Sequence, residues 1–187
     1  MRMEDAVKLA LFLIVSAWLV YFSRASLRVP RSHGFYRFFA FECILALFLL
    51  NVGRWFHNPF SLSQCISWIL LVASGFLALY GAILLRRLGR PDQSRQDAPL
   101  IGFEKTTTLV TEGAYRYIRH PLYSSLLLLA WGIFLKGPTL SAGVLALGAT
   151  GLLLATAMAD EAECLRFFGP SYQEYMKRTK RFIPFLF

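Results

Sequence analysis

Apolar residues fall into five runs along the chain, set apart by polar or basic segments. The first three, at 6–22, 38–56 and 64–85, reach the roughly 17 to 25 residues that a helix needs to cross a bilayer. The fourth and fifth, at 122–135 and 139–159, are divided only by Lys136-Gly137-Pro138, the punctuation of a tight hairpin tip. Because the fourth run is short, its start is placed at residue 120. The pattern predicts an all-α integral membrane protein with five transmembrane helices, about 6–22, 38–56, 64–85, 120–135 and 139–159, of which spans four and five form a helical hairpin. A single membrane domain then covers 1–187, with a cytoplasmic loop at 86–119 and C-terminal cytoplasmic helices at 160–187. The run at 6–22 carries no small-residue cleavage pattern before the basic segment that follows, so it reads as a retained span.

Composition agrees: 56% of the 187 residues are hydrophobic and only 17% charged, against roughly 25% in soluble domains. All Lys and Arg residues except Arg2, Lys8, Arg54 and Lys136 follow spans one, three and five. Basic loops stay in the cytoplasm, so the N-terminus is expected outside and the C-terminus inside, and the compact chain fits a bacterial inner membrane. The net charge of +9 is spread over juxtamembrane loops, which points to membrane lipids as partners and away from nucleic acid. Cys43, Cys65 and Cys164 have neither metal-ligand spacing nor an oxidising context, so no metal and no disulfide is expected. Nothing in the pattern specifies an oligomeric state.

The long connection has two characters. Its first part, RRLGRPDQSRQDAP, is polar and reads as a mobile arm, whereas LIGFEKTTTLVTEGAYRYI is rich in Thr, Val and aromatics and should be ordered. The fifth span runs into MADEAECLRFF and is stopped by Gly169-Pro170. Ser171 and Glu174 have capping-box spacing, so a short helix is expected over YQEYMKRTK. The last stretch, RFIPFLF, is apolar enough to return to the membrane surface or to plug a pocket.

Chemistry concentrates where these parts meet. Pro121 suits the first position of a helix, so Arg119 and His120 stand just ahead of unpaired amides at its start, an arrangement that attracts anions. Asp160 and Glu161, at the end of the fifth span, lie at the same depth. A cationic and an anionic cluster facing one volume suit a zwitterion with a carboxylate and an ammonium or sulfonium group. The same residues also describe interfacial anchors joined by a salt bridge.

The stretch LVTEGAYRYIRHPLY, followed about forty residues later by DEAECLRFFGPSYQEYMKRTKRFIP, resembles the integral-membrane methyltransferases related to isoprenylcysteine carboxyl methyltransferase and the phospholipid methyltransferases. The likeness covers roughly residues 88–184. It implies an S-adenosylmethionine-dependent methyltransferase whose cofactor pocket is capped by the long loop and the C-terminal helices, with no soluble nucleotide-binding domain. Arg119, His120 and Tyr123 fall on the family's Arg-His-Pro-x-Tyr, and Asp160 with Glu161 on its paired glutamates. The resemblance thus makes Arg119, His120, Tyr123, Asp160 and Glu161 cofactor-binding residues, and Arg119, His120 and Glu161 catalytic ones. Because the first acid is the shorter Asp, Glu161 is expected to hold the cofactor's ammonium. Leu88-Gly89 is followed by a polar stretch where the family often has an aromatic, so that part of the pocket, and the substrate with it, should differ.

The acceptor implied is amphiphilic or lipid-like, and its reacting group, whether carboxylate, amine or thiol, stays open. His120 serves either as a base for a protic acceptor or as a cofactor contact. An NADPH-dependent membrane reductase with a similar cytoplasmic half, and a non-catalytic adaptor, are the alternatives. Of the remaining residues, Glu42 is expected to pair with an arginine of the first cytoplasmic loop and His33 and His57 to serve in turns. Gly75, Gly81 and Gly132 should allow close helix approach, and Tyr172 and Tyr175 should fix the cap.

Overall fold

The computed structural model describes residues 3–92, 95, 100 and 102–186. It is all-helical, with α1 at Met3–Leu27, α2 at His33–Asn51, α3 at Leu62–Leu88, α4 at Pro121–Phe134, α5 at Leu140–Phe168 and α6 at Pro170–Arg178. Helices α1, α2, α3 and α5 are each long and apolar enough to cross a membrane, which marks a multi-pass integral membrane protein. α4 is apolar but has 14 residues. At 1.5 Å per residue it extends about 21 Å, short of a roughly 30 Å hydrocarbon core.

Packing rests on small residues and polar clips, because lipid supplies little hydrophobic drive between helices. The most extensive contacts join α2 to α5 and α3 to α4. Ala142, Ala146, Ala149, Leu153 and Ala157 form one fully buried stripe on α5, facing Ala40, Ile44 and Leu47 of α2. Ser67 and Ser74 of α3 donate to the carbonyls of Gly132 and Ser125 on α4, both at 2.7 Å. A Cβ on Gly132 would stand 2.9 Å from Leu71 and one on Gly81 3.3 Å from Leu122, so both glycines serve close packing. Gly75 does not, since a Cβ there would meet nothing within 4 Å.

Two further local expectations need correction. α6 begins at Pro170 with Gly169 as its cap and no side-chain capping bond, so Ser171 and Glu174 form no capping box. Proline fixes the first helical residue, which leaves Ser171 inside the helix, and Glu174 pairs with Lys177 instead. Glu42 takes a hydrogen bond from Ser16 of α1 at 2.6 Å, and its other oxygen has no hydrogen-bond partner among the described residues. Lys136, at the hairpin tip, is buried, donates to Gln64 at 2.9 Å and lies 3.5 Å over the Trp68 ring.

The chain returns on itself at the opposite end. Lys180 donates its backbone N–H to Tyr117, and its carbonyl accepts from Arg119 at 2.8 Å, while the Arg181 carbonyl accepts from His120. Phe182 is thereby drawn into the core beside Tyr123, Ala40 and Leu153, whereas Ile183, Phe185 and Leu186 stay exposed. Of the stretch expected to be a mobile arm, residues 93, 94 and 96–99 lie outside the described residues.

Candidate functional site

A polar cavity of about 100 Å³ opens where α2 and α4 begin, with walls from α5, α6 and the connection after α3. His120 caps the start of α4 and is buried. Its Nδ1 lies 3.4 Å from Asp160 and its Nε2 3.3 Å from Glu161, and its ring stacks on Tyr123. Burial alone would lower the affinity of His120 for a proton, but the hydrogen bonds to Asp160 and Glu161 outweigh it and the pKa is raised. The anion expected ahead of α4 is thus supplied by the chain itself.

The two adjacent acids have different surroundings. Glu161 receives Arg119 Nε at 2.9 Å and a forked pair from Arg181 at 3.1 and 2.7 Å. Arg119 also reaches the carbonyls of Met176 and Thr179, so this cluster fastens α5 to the C-terminal segment. Asp160 lines the cavity and Glu161 does not. Consecutive helical residues point about 100° apart, which turns Asp160 to the cavity and Glu161 to the brace. Glu161 is thus committed to two arginines, while Asp160 faces the cavity.

His33 is not a turn residue. It opens α2, is fully buried, and is held by Glu163 of α5, which takes ring Nδ1 at 2.5 Å and the backbone N–H at 3.1 Å. Its Nε2 faces Glu104 at 3.7 Å, and Arg37, one turn along α2, pairs with the same Glu104. A signal for this was present: His33, Arg37, Ala40, Ile44, Leu47 and Asn51 follow one helical stripe, so the core face of α2 runs through His33. Donor atoms of His33, Asp160 and Glu163 lie within 4.8 Å of one another. Both oxygens of Glu163 accept hydrogen bonds from His33.

Aromatic groups cover the cavity. Tyr175 donates to the carbonyl of Tyr115 at 2.6 Å, Tyr172 stacks on Phe168, and burial pushes the phenols of Tyr115, Tyr172 and Tyr175 upward. Arg95 lies over the Phe167 ring at 3.7 Å. A second cavity, an apolar cleft of about 800 Å³, runs among α1, α2, α3 and α4 between residues such as Trp18, Phe41, Phe48, Trp55 and Trp68. Glu104, Leu122 and Tyr123 line both cavities.

Arg119, His120, Tyr123 and Asp160 thus meet at the polar cavity, with Glu161 behind its wall. His33, Arg37, Glu104, Glu163 and Arg181 complete the cluster and were not among the site residues expected from sequence.

Protein-S-isoprenylcysteine O-methyltransferase of Schizosaccharomyces pombe is 30% identical over 115 residues, covering 61% of this chain and 49% of that protein. Methanethiol S-methyltransferase 2 of Bradyrhizobium diazoefficiens is 35% identical over 75 residues, 39% of this chain and 27% of that protein. A Delta(14)-sterol reductase of Mus musculus is 29% identical over 138 residues, 70% of this chain and 32% of that protein. The chain spans half or less of the length of these relatives. No protein-family profile and no solved structure matches it. The chain is a distant homologue of isoprenylcysteine carboxyl methyltransferase and of related membrane methyltransferases and sterol reductases.

Proposed function

We propose that this protein transfers a methyl group from S-adenosylmethionine to an amphiphilic or lipid-like acceptor at the cytoplasmic face of a membrane. One observation carries the reading: the polar cavity and the apolar cleft share Glu104, Leu122 and Tyr123. A charged methyl donor and an apolar acceptor can therefore meet at one point while each stays in its own medium. The cofactor supplies an electrophilic methyl on a sulfonium. The donor set fits it: Asp160 would take the ammonium, Arg119 the carboxylate, and the rings of Tyr115 and Tyr172 the purine. Glu104 and Tyr123 sit where the reacting groups converge, and His120 fixes Tyr123 and Asp160 relative to each other. Methyl transfer needs alignment more than proton chemistry, and holding two reactants in near-attack geometry supplies several kcal/mol.

The cavity of about 100 Å³ is smaller than the roughly 300–1,000 Å³ of ordinary ligand sites, so binding moves the cover outward. That cover includes Leu109, Val110 and Tyr115 before α4 and Tyr172 and Tyr175 of α6.

We read α4 as a fifth crossing. It runs from the cavity at His120 to the buried Lys136, beside Gln64 at the start of α3, and so covers the same depth as its longer neighbours. With the basic loops inside, the N-terminus is outside and the C-terminus cytoplasmic, as in a bacterial inner membrane.

The similarity to a sterol reductase favours a second reading, NADPH-dependent reduction. Calorimetry on the purified protein in lipid decides between them. Micromolar binding of S-adenosylmethionine and S-adenosylhomocysteine, weakened by Asp160→Asn and His120→Ala, is the expected result. Absence of binding together with NADPH oxidation in the presence of an unsaturated sterol would replace this reading with the second.

A further inference from the structure

His120 is poorly placed to act as a base here, since each of its ring nitrogens has a carboxylate within 3.4 Å. His33 is arranged differently. Glu163 grips it twice, at Nδ1 and at the backbone N–H, which fixes the ring and places the proton of a neutral imidazole on Nδ1. In that neutral form Nε2 carries the lone pair. That atom is fully buried and, with Glu104 3.7 Å away, makes no hydrogen bond among the described residues, although the ring lines the polar cavity. Leaving a buried polar atom unpaired is costly, so such an atom in a cavity wall points to a partner that arrives with the ligand. The same wall contains Glu104 and Tyr123, where the apolar cleft opens.

We propose that His33, oriented by Glu163, takes the proton of the methyl acceptor, and that the acceptor is accordingly a thiol or amine on an apolar body and not a carboxylate. This rests on the methyl-transfer reading above. The acceptor's sulfur or nitrogen lone pair forms the bond to the methyl carbon. The carbon–sulfur bond of the sulfonium donor breaks, and its electron pair returns to sulfur. The acceptor's proton passes to His33 Nε2, where Glu163 stabilises the imidazolium, and leaves to water when the cover opens. A carboxylate has no proton to give at neutral pH and would be repelled by Glu104 and Asp160. A carboxylate holding one nitrogen of an imidazole, with no hydrogen bond at the other, is the arrangement that general-base chemistry uses.

The charges around the ring make this measurable. Glu163 and Asp160 face His33 from α5, Glu104 from the connection after α3, and Arg37 from α2 itself, with His120 and Tyr123 of α4 across the cavity. A cationic donor that draws on Asp160 and Glu104 weakens their support for a proton on His33, so donor binding and proton release are linked.

The test uses the full chain in lipid nanodiscs, as wild type, His33→Gln and Glu163→Gln. S-adenosylmethionine binding is measured calorimetrically at pH 7 in two buffers of different ionisation enthalpy. Wild type should release a substantial fraction of one proton, and His33→Gln none, with affinity within about threefold of wild type. Decanethiol and decanoate are then offered as acceptors. Thiol methylation should rise with pH and fall on the order of a hundredfold or more in His33→Gln, the ordinary worth of a general base. Glu163→Gln should keep part of the rate with a shifted pH profile, which loss of a merely structural contact would not produce. Equal proton release in wild type and His33→Gln overturns the proposal. Unchanged thiol methylation in His33→Gln, methylation of decanoate in place of decanethiol, or a stoichiometric metal bound by wild type and lost in His33→Gln does so too. If neither acceptor turns over, the proton count decides. If His33→Gln fails to fold, nitrogen NMR of histidine-labelled wild type decides: His33 Nε2 should lose its proton when the donor binds, and no change refutes the idea. A wild-type protein that binds no donor sinks the methyl-transfer reading itself, a distinct failure.

Discussion

Both ends of this helical bundle bury charge, and they do so differently. At the hairpin tip, Lys136 is closed in: Gln64 accepts its proton and returns a bond to its carbonyl, and Trp68 covers the ammonium. Gly137 packs so tightly that a Cβ would come 2.5 Å from Arg54 and 2.8 Å from Asn51. At the other end Glu104, Asp160, Glu161 and Glu163 meet Arg37, Arg119, Arg181 and two histidines around open space. Burial of charge is common to both. What separates a candidate site from a structural lock is the space left over, with Asp160 and His33 Nε2 turned toward it.

The site end itself contains both kinds of group, and substitutions should separate them. The largest effect is expected from Glu161→Ala, which strands Arg119 and Arg181 without their carboxylate. Breaking such a buried cluster costs about 3–5 kcal/mol, read as a large drop in thermal unfolding temperature in detergent. Asp160→Asn should do the reverse, weakening S-adenosylmethionine binding roughly 10- to 100-fold, the worth of a hydrogen bond to a charged group, while unfolding moves little. Equal effects of the two substitutions on binding and stability would erase the distinction between brace and wall. At the opposite end, Lys136→Met should cost about 1–3 kcal/mol by leaving Gln64 unsatisfied, with donor affinity unchanged. A loss of affinity there would couple the two ends.

The smallest effect concerns pH. The raised pKa of His120 means that its protonated form is bound more tightly in the fold than in the unfolded chain. Its stabilising contribution is complete below the ordinary value near 6.5 and fades as pH rises from there through the folded value. Unfolding temperature should therefore decline from about pH 6.5 upward more steeply in wild type than in His120→Gln, measured across neutral and mildly alkaline buffers. Parallel curves would show that Asp160 and Glu161 do not hold a proton on this ring.

Much of the architecture was legible because a membrane permits few solutions. Unpaired backbone is too costly in lipid, so long apolar runs become helices, and Pro121 and Gly169-Pro170 mark boundaries by removing an N–H or freeing the backbone. The helices nevertheless extend past the apolar runs, α5 reaching Phe168 and α3 Leu88, since a helix continues into water until a residue stops it. The short α4 was legible as apolar but not as closed at both ends by contacts from other helices.

The site divides along the same line. Sequence by itself determined the apolar pattern, the basic asymmetry, the start of α4 at Pro121 and the presence of Arg119, His120, Tyr123, Asp160 and Glu161 on either side of a hairpin. These depend on local rules: residue polarity, helical period and proline geometry. Only the tertiary structure decided that Asp160 faces the cavity while Glu161 is spent on Arg119 and Arg181, and that His33, more than eighty residues away from His120 in sequence, belongs to the same cluster. Two adjacent acids carry nearly the same chemistry in the chain. Which one meets a ligand depends on the helix's rotation against its neighbours, and that rotation is set by the alanine stripe of α5 against α2, far from the site itself.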